Sequence, residues 1–142
     1  MKQLDYYYRL ISAMDRLTGK NNMQWLYLHE MPDNHQLNNY LISYNRYIYS
    51  AGDNPVINEY KSYAMPIKDG QVYLFVFEKA KTHEQYYIIA VQASMSSPLF
   101  EINDKNMAQD QLAELYGHIA TVRQDVSNVD FIEKIIKLAD EA

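Results

Sequence analysis

The chain of 142 residues contains no cysteine, which excludes disulfide bonds and thiolate chemistry. It has only four glycines, too scattered to form a glycine-rich phosphate loop. No apolar run approaches the ~18 residues of a transmembrane helix, and no basic leader precedes an apolar run at the N-terminus. We therefore expect a soluble, cytoplasmic protein without a membrane partner.

The composition fits one α+β domain spanning residues 1–142. Hydrophobic residues make up 48% of the chain and charged residues 22%, a balance that argues against disorder. The net charge of −5 resides in the C-terminal part, because residues 1–100 hold nine basic and nine acidic residues whereas residues 101–142 hold four and nine. This acidity favours a solvated helical surface or a surface for a basic protein partner, and it disfavours nucleic acid.

No motif for catalysis, metal binding or a cofactor is present above background. The serines lack a strand–elbow–helix context, and no histidine pair has the spacing of metal ligands. The four histidines are His29, His35, His83 and His118. We therefore expect no cofactor, no metal site and no identifiable catalytic residue. A site built from scattered side chains would escape this reasoning.

Residues 71–94 form the predicted centre of the fold, two β-prone runs joined by a short polar loop. In the first run Val72 and Leu74 point to one face of the sheet and Tyr73 and Phe75 to the other, because successive side chains alternate. Both faces are therefore apolar, which predicts a covering layer on each face. The Asp-Gly pair at 69–70 predicts a two-residue hairpin loop leading into this strand.

Periodicity predicts helices on either side of this hairpin. Residues 2–18 form an amphipathic helix that ends near Gly19, and residues 33–51 carry a 3.6-period apolar stripe that favours helix over the strand preference of their tyrosines. Asp33 with Gln36 resembles a capping box. Residues 23–31 read as a short strand, and Pro55 permits a short helix over the following residues.

The C-terminal part is also predicted to be helical, beginning at Asn103 or Asp104. Its apolar residues form a heptad seam, which indicates either the inward face of a helix on the sheet or a partner contact. The seam consists of Ala108, Leu112, Leu115, Ile119, Val122 and Val126. Ser127 to Asp130 resembles a capping box and predicts the start of another helix. Gly117, inside the first helix, predicts a closely packed neighbour.

These patterns predict an α+β fold with a mainly antiparallel sheet centred on the 71–94 hairpin and covered by N- and C-terminal helices. The function that they favour is a small, acidic, non-enzymatic protein-interaction module of the adaptor, chaperone, immunity or inhibitor type, with a protein partner or a second copy bound through Leu112, Leu115, Ile119 and Val122. Fourteen tyrosines suit such a surface. The alternative is a small-molecule-binding protein or enzyme with an aromatic pocket lined by Trp25, Tyr27, His29, Tyr73 and Phe75.

Overall fold

A computed structural model describes residues 2–20, 23–45, 55–79, 81–102 and 109–142. Its helices are α1 (Lys2–Leu17), α2 (His35–Asn45) and α3 (Gln109–Glu141). Its strands are β1 (Leu26–Tyr27), β2 (Pro55–Ile57), β3 (Tyr63–Ile67), β4 (Gly70–Lys79), β5 (Gln85–Gln92) and β6 (Phe100–Glu101). The strands form one antiparallel sheet in the order β1-β3-β4-β5-β6, with β2 also paired to β4. The predicted α+β fold class is confirmed.

Strand β4 lies at the centre of this sheet and is buried on both faces. Val72 and Leu74 join a core cluster formed with α1 and α3, whereas Tyr73 and Phe75 join a second cluster formed with α2. The alternation of side chains along the strand separates these two sets. The covering layer predicted on each face of the central hairpin is therefore confirmed, with the N- and C-terminal helices α1 and α3 on one face and α2 on the other.

The turn between β3 and β4 is displaced by one residue from the predicted Asp-Gly loop. Ile67 pairs with Gly70, so the two loop residues are Lys68 and Asp69, and Lys68 adopts a left-handed φ of 54°. Gly70 is required for a different reason, which is close backbone approach. A Cβ atom at this position would lie 2.3 Å from the carbonyl oxygen of Gln92.

Helix α2 confirms the helical stripe over residues 35–45, while residues 46–51 lie outside the described residues. Its cap is one residue later than predicted. The Asn34 Oδ1 accepts a hydrogen bond from the backbone N–H of Leu37 at 3.2 Å, whereas Asp33 Oδ1 accepts one from the Asn38 side chain. Asn34 therefore fills the role that the sequence assigned to Asp33.

Two short segments differ from prediction, and in the first of them strand pairing outweighs local preference. The residues after Pro55 form strand β2, in which Val56 pairs with Glu78, and the predicted helix there is wrong. The predicted strand over 23–31 is reduced to Leu26–Tyr27 and is followed by a 3-10 turn over Leu28–Glu30.

Helix α3 runs without a break from Gln109 to Glu141, so the predicted new helix at Ser127 is wrong. No proline or glycine follows Gly117 in this helix, and a serine is a favourable cap without being a strong helix breaker. Gly117 is exposed, and no described atom lies within 4 Å of the place that its Cβ would take. The predicted close neighbour of Gly117 is therefore absent from the described part of the chain. Asn103, Asp104 and Ala108 lie outside the described residues.

Candidate protein-interaction surface

The predicted heptad seam on α3 belongs to the core of the chain. Leu112, Leu115 and Ile119 expose 3%, 1% and 0% of their surface and pack with residues of α1 and the sheet. A partner of the folded chain could not reach these three side chains, so their predicted role as a contact surface is wrong. Val122 is half-buried and lies 3.4 Å from the position of a Cβ at Gly19, against the end of α1.

Beyond this seam, α3 continues as an exposed extension that we call the C-terminal arm, residues 127–142. Every residue of the arm is exposed. The whole helix has 33 residues and is about 50 Å long, so the arm accounts for nearly half of its length. A helix segment of this length has little stability of its own in water, since helical stability in proteins comes mainly from packing.

The arm is strongly amphipathic although none of the described residues covers it. Six large apolar side chains expose between 50% and 69% of their surface. At about 100° per residue, they all fall within one half of the helix circumference. They are Val129, Phe131, Ile132, Ile135, Ile136 and Leu138. The other half carries Ser127 and six charged side chains, namely Asp130, Glu133, Lys134, Lys137, Asp140 and Glu141.

The apolar half of the arm and the core-facing side of α3 point in opposite directions. The core side is marked by Leu112, Leu115 and Ile119, and the centre of the arm's apolar half lies roughly half a turn away from it. A continuous helix therefore cannot bring the arm's apolar half onto the sheet of its own chain. Sequence reasoning found apolar residues here but missed this change of phase, which residue counting along one uninterrupted helix would have detected.

The aromatic pocket predicted as the alternative site is not assembled. Tyr73 and Phe75 are fully buried beneath α2, whereas Trp25 and Tyr27 lie in the cluster on the opposite face of the sheet. The sheet itself separates the two pairs. Trp25 is buried and its Nε1 donates to Thr18 Oγ1 at 2.9 Å.

Tyr27 and His29 do come together, in a row of aromatic rings along the α1 and α3 face. Their ring centroids are 5.6 Å apart, and neighbouring rings continue the row at 4.6–5.3 Å. The other members are Tyr60, Tyr63, Tyr116 and Tyr87. The Arg123 guanidinium lies 3.9 Å from the Tyr27 ring centroid and donates to the carbonyl oxygen of Trp25. These contacts fix α3 one turn before the arm begins.

A groove of about 300 Å³ lies beside Arg123, where the arm leaves the body. Its walls include Trp25, Val122 and Arg123, with Ser127 and Asp130 at the root of the arm. The Arg123 guanidinium is already engaged by the Tyr27 ring and lies 3.9 Å from a Glu30 oxygen. Arg123 therefore already contacts groups of its own chain at this groove.

Two polar clusters attach α2 to the sheet. In the first, Gln92 Oε1 accepts hydrogen bonds from the Tyr73 hydroxyl at 2.7 Å and from Asn34 Nδ2 at 2.9 Å, and burial raises the pKa of Tyr73 to about 12. In the second, the hydroxyls of Tyr40 and Tyr44 both donate to the carboxylate of Glu101. These groups bind one another, so both clusters have a structural role.

Comparison with known protein families, curated proteins and solved structures finds no match to this chain. Within the described residues, no three or more histidine and carboxylate side chains are grouped so that they could hold a metal ion. None of the helices in the described ranges is both long and apolar enough to cross a membrane. The exposed apolar half of the arm is the candidate site that the described residues support best.

Proposed function

We propose that the protein is a small non-enzymatic protein-interaction module, of the adaptor, chaperone, immunity or inhibitor type, and that it binds through the apolar half of its C-terminal arm. The observation that carries this proposal is the position of six exposed apolar side chains on the side of α3 opposite to the core. Such a helix gains its stability from another protein surface.

The size of the exposed face supports this assignment. The six side chains expose roughly 700 Å² of apolar surface, which exceeds the ~300–600 Å² of the largest patch on a typical monomer and approaches the ~800 Å² per partner of a standard interface. Isolated exposed side chains need no explanation, but a contiguous face of this size indicates a binding site.

The shape of the face indicates the kind of partner. Its apolar arc covers about half of the helix circumference, wider than the seam of a two-stranded coiled coil. This width suits a helix that lies in a groove or against two neighbouring elements. The charged half of the arm, which would remain in water, keeps the rim of the interface polar.

A photo-crosslinking amino acid in place of Phe131 tests this proposal in the native host. Phe131 is 64% exposed in the apolar half, and Lys137, in the charged half, is the matched control position. We expect a cross-linked protein, identified by mass spectrometry, from position 131 and little or none from position 137. Equal cross-linking from both positions, or none from either, would contradict the proposed function.

A further inference from the structure

We propose that the occupant of the arm's apolar half is a second copy of this chain, whose α3 runs antiparallel so that each arm covers the outer side of residues 113–121 of the other copy. This inference rests on the function proposed above and names the partner of the same surface. It makes a two-fold symmetric interface, in which both copies contribute the same residues.

The outer side of residues 113–121 is suited to receive bulky side chains. Ala113, Gly117 and Thr121 are exposed and lie four residues apart, which places them in one stripe on the helix surface. The half-buried Ala120 lies beside this stripe. Gly117 has open space where its side chain would be, so another helix can approach its backbone closely.

The arm presents the complementary stripe with the same spacing and on the same side of α3. Phe131, Ile135 and Ala139 are also four residues apart and exposed. A two-fold axis near residue 126 brings Phe131 opposite Thr121 of the second copy, Ile135 opposite Gly117 and Ala139 opposite Ala113. In the first two of these pairs a large side chain meets a smaller one, and in the third two alanines meet, so the two helices can pack closely.

This arrangement is free of steric conflict between the two bodies. Each body packs on the core side of its own α3, which points away from the second copy. The two arms together present roughly 1,400 Å² of apolar surface, which is comparable with the ~1,200–2,000 Å² that stable interfaces bury. The second copy also covers an area that the described part of its own chain leaves exposed.

Single-cysteine variants test the arrangement cleanly because the chain has no cysteine of its own. Gly117→Cys and Ile135→Cys are purified separately, mixed and mildly oxidised. We expect a disulfide that joins one Gly117→Cys chain to one Ile135→Cys chain. This mixed dimer should be lost when Lys137→Cys, in the charged half, replaces Ile135→Cys. Ala113→Cys mixed with Ala139→Cys provides a second pair at exposed positions, in case a substitution at Gly117 disturbs the helix.

Three results would overturn the inference. A disulfide that joins two copies of Ile135→Cys, with none that joins Ile135→Cys to Gly117→Cys, would indicate parallel helices. A disulfide within one chain of a variant that carries both Gly117→Cys and Ile135→Cys would show that the arm folds back on its own helix. The absence of any cross-link would exclude a second copy as the occupant, and photo-crosslinks from position 131 to other proteins would then preserve the proposed function with a different partner.

Discussion

Ile119 and Ile135 lie on one continuous helix, yet Ile119 is completely buried and Ile135 exposes 50% of its surface. Sixteen residues separate them in the sequence, which rotates the second side chain by roughly 160° about the helix axis. The same residue type therefore lies in the core at one position and on an exposed apolar face at the other.

This contrast predicts different effects of truncating the two side chains. Ile119→Ala should lower the free energy of unfolding by about 2–5 kcal/mol at every protein concentration, because it leaves a cavity in the core. Ile135→Ala should change the free energy of unfolding by less than about 0.5 kcal/mol in dilute solution. At concentrations where the chain associates, it should lower the free energy of unfolding. Urea unfolding at several protein concentrations measures both. An equal loss for the two variants in dilute solution would show that Ile135 is also part of the core.

Alanine at the two glycines should have opposite effects. Gly70→Ala should destabilise the fold by roughly 1–3 kcal/mol or more, because its Cβ would collide with the backbone oxygen of Gln92. Gly117→Ala should stabilise the dilute chain by up to about 1 kcal/mol through helix propensity, because space for the methyl group is open. Thermal unfolding of both variants measures the difference. A destabilised Gly117→Ala monomer would indicate a close neighbour at that position.

Removal of the Asn34 side chain should cost about 1–3 kcal/mol of unfolding free energy, since it takes away the α2 cap and a hydrogen bond to Gln92. Asp33→Ala, at the residue that the sequence favoured as the cap, is the matched control and should cost less than about 0.5 kcal/mol. Chemical denaturation of the two variants decides the assignment. A larger loss for Asp33→Ala would restore the original capping prediction.

Stability should decline as the pH rises from about 10 to 12. Burial and the hydrogen bond to Glu101 raise the pKa of Tyr44 from its ordinary value near 10 to about 12. The folded state retains this proton where the unfolded state has lost it, so the stabilisation is complete below pH 10 and is lost as the pH approaches 12. Tyr44→Phe should flatten the dependence of unfolding free energy on pH in this window. An unchanged slope would contradict the assigned role of Tyr44.

The central hairpin and α2 show how much of the fold local patterns could predict. Alternation along residues 72–77 specified two apolar faces, and both are covered by helices. In α2, Leu37 and Leu41 face the core with the 3.6 period, and this pattern prevailed over the strand preference of the tyrosines. Burial of a face is a property of many residues together, so it outweighs single-residue propensity.

The candidate site was harder to predict because it depends on how elements combine. Ser127 carries a capping pattern, but such a pattern permits a helix start without forcing one, and here the helix continues. Once α3 is continuous, the rotation between Ile119 and Ile135 follows from counting. Local periodicity, in contrast, could not predict whether Trp25 and Tyr73 lie on the same face of the sheet. That depends on which strands pair and on which helix covers each face.

The claim that the arm's apolar half binds a second copy is tested most directly by sedimentation equilibrium of the wild type and of Ile132→Glu with Ile136→Glu. The account predicts a wild-type mass that approaches twice 16.7 kDa with rising concentration, a double variant that stays folded at 16.7 kDa, and a Lys137→Glu control that associates like the wild type. A wild type that remains at 16.7 kDa, or a double variant that associates equally well, would contradict it.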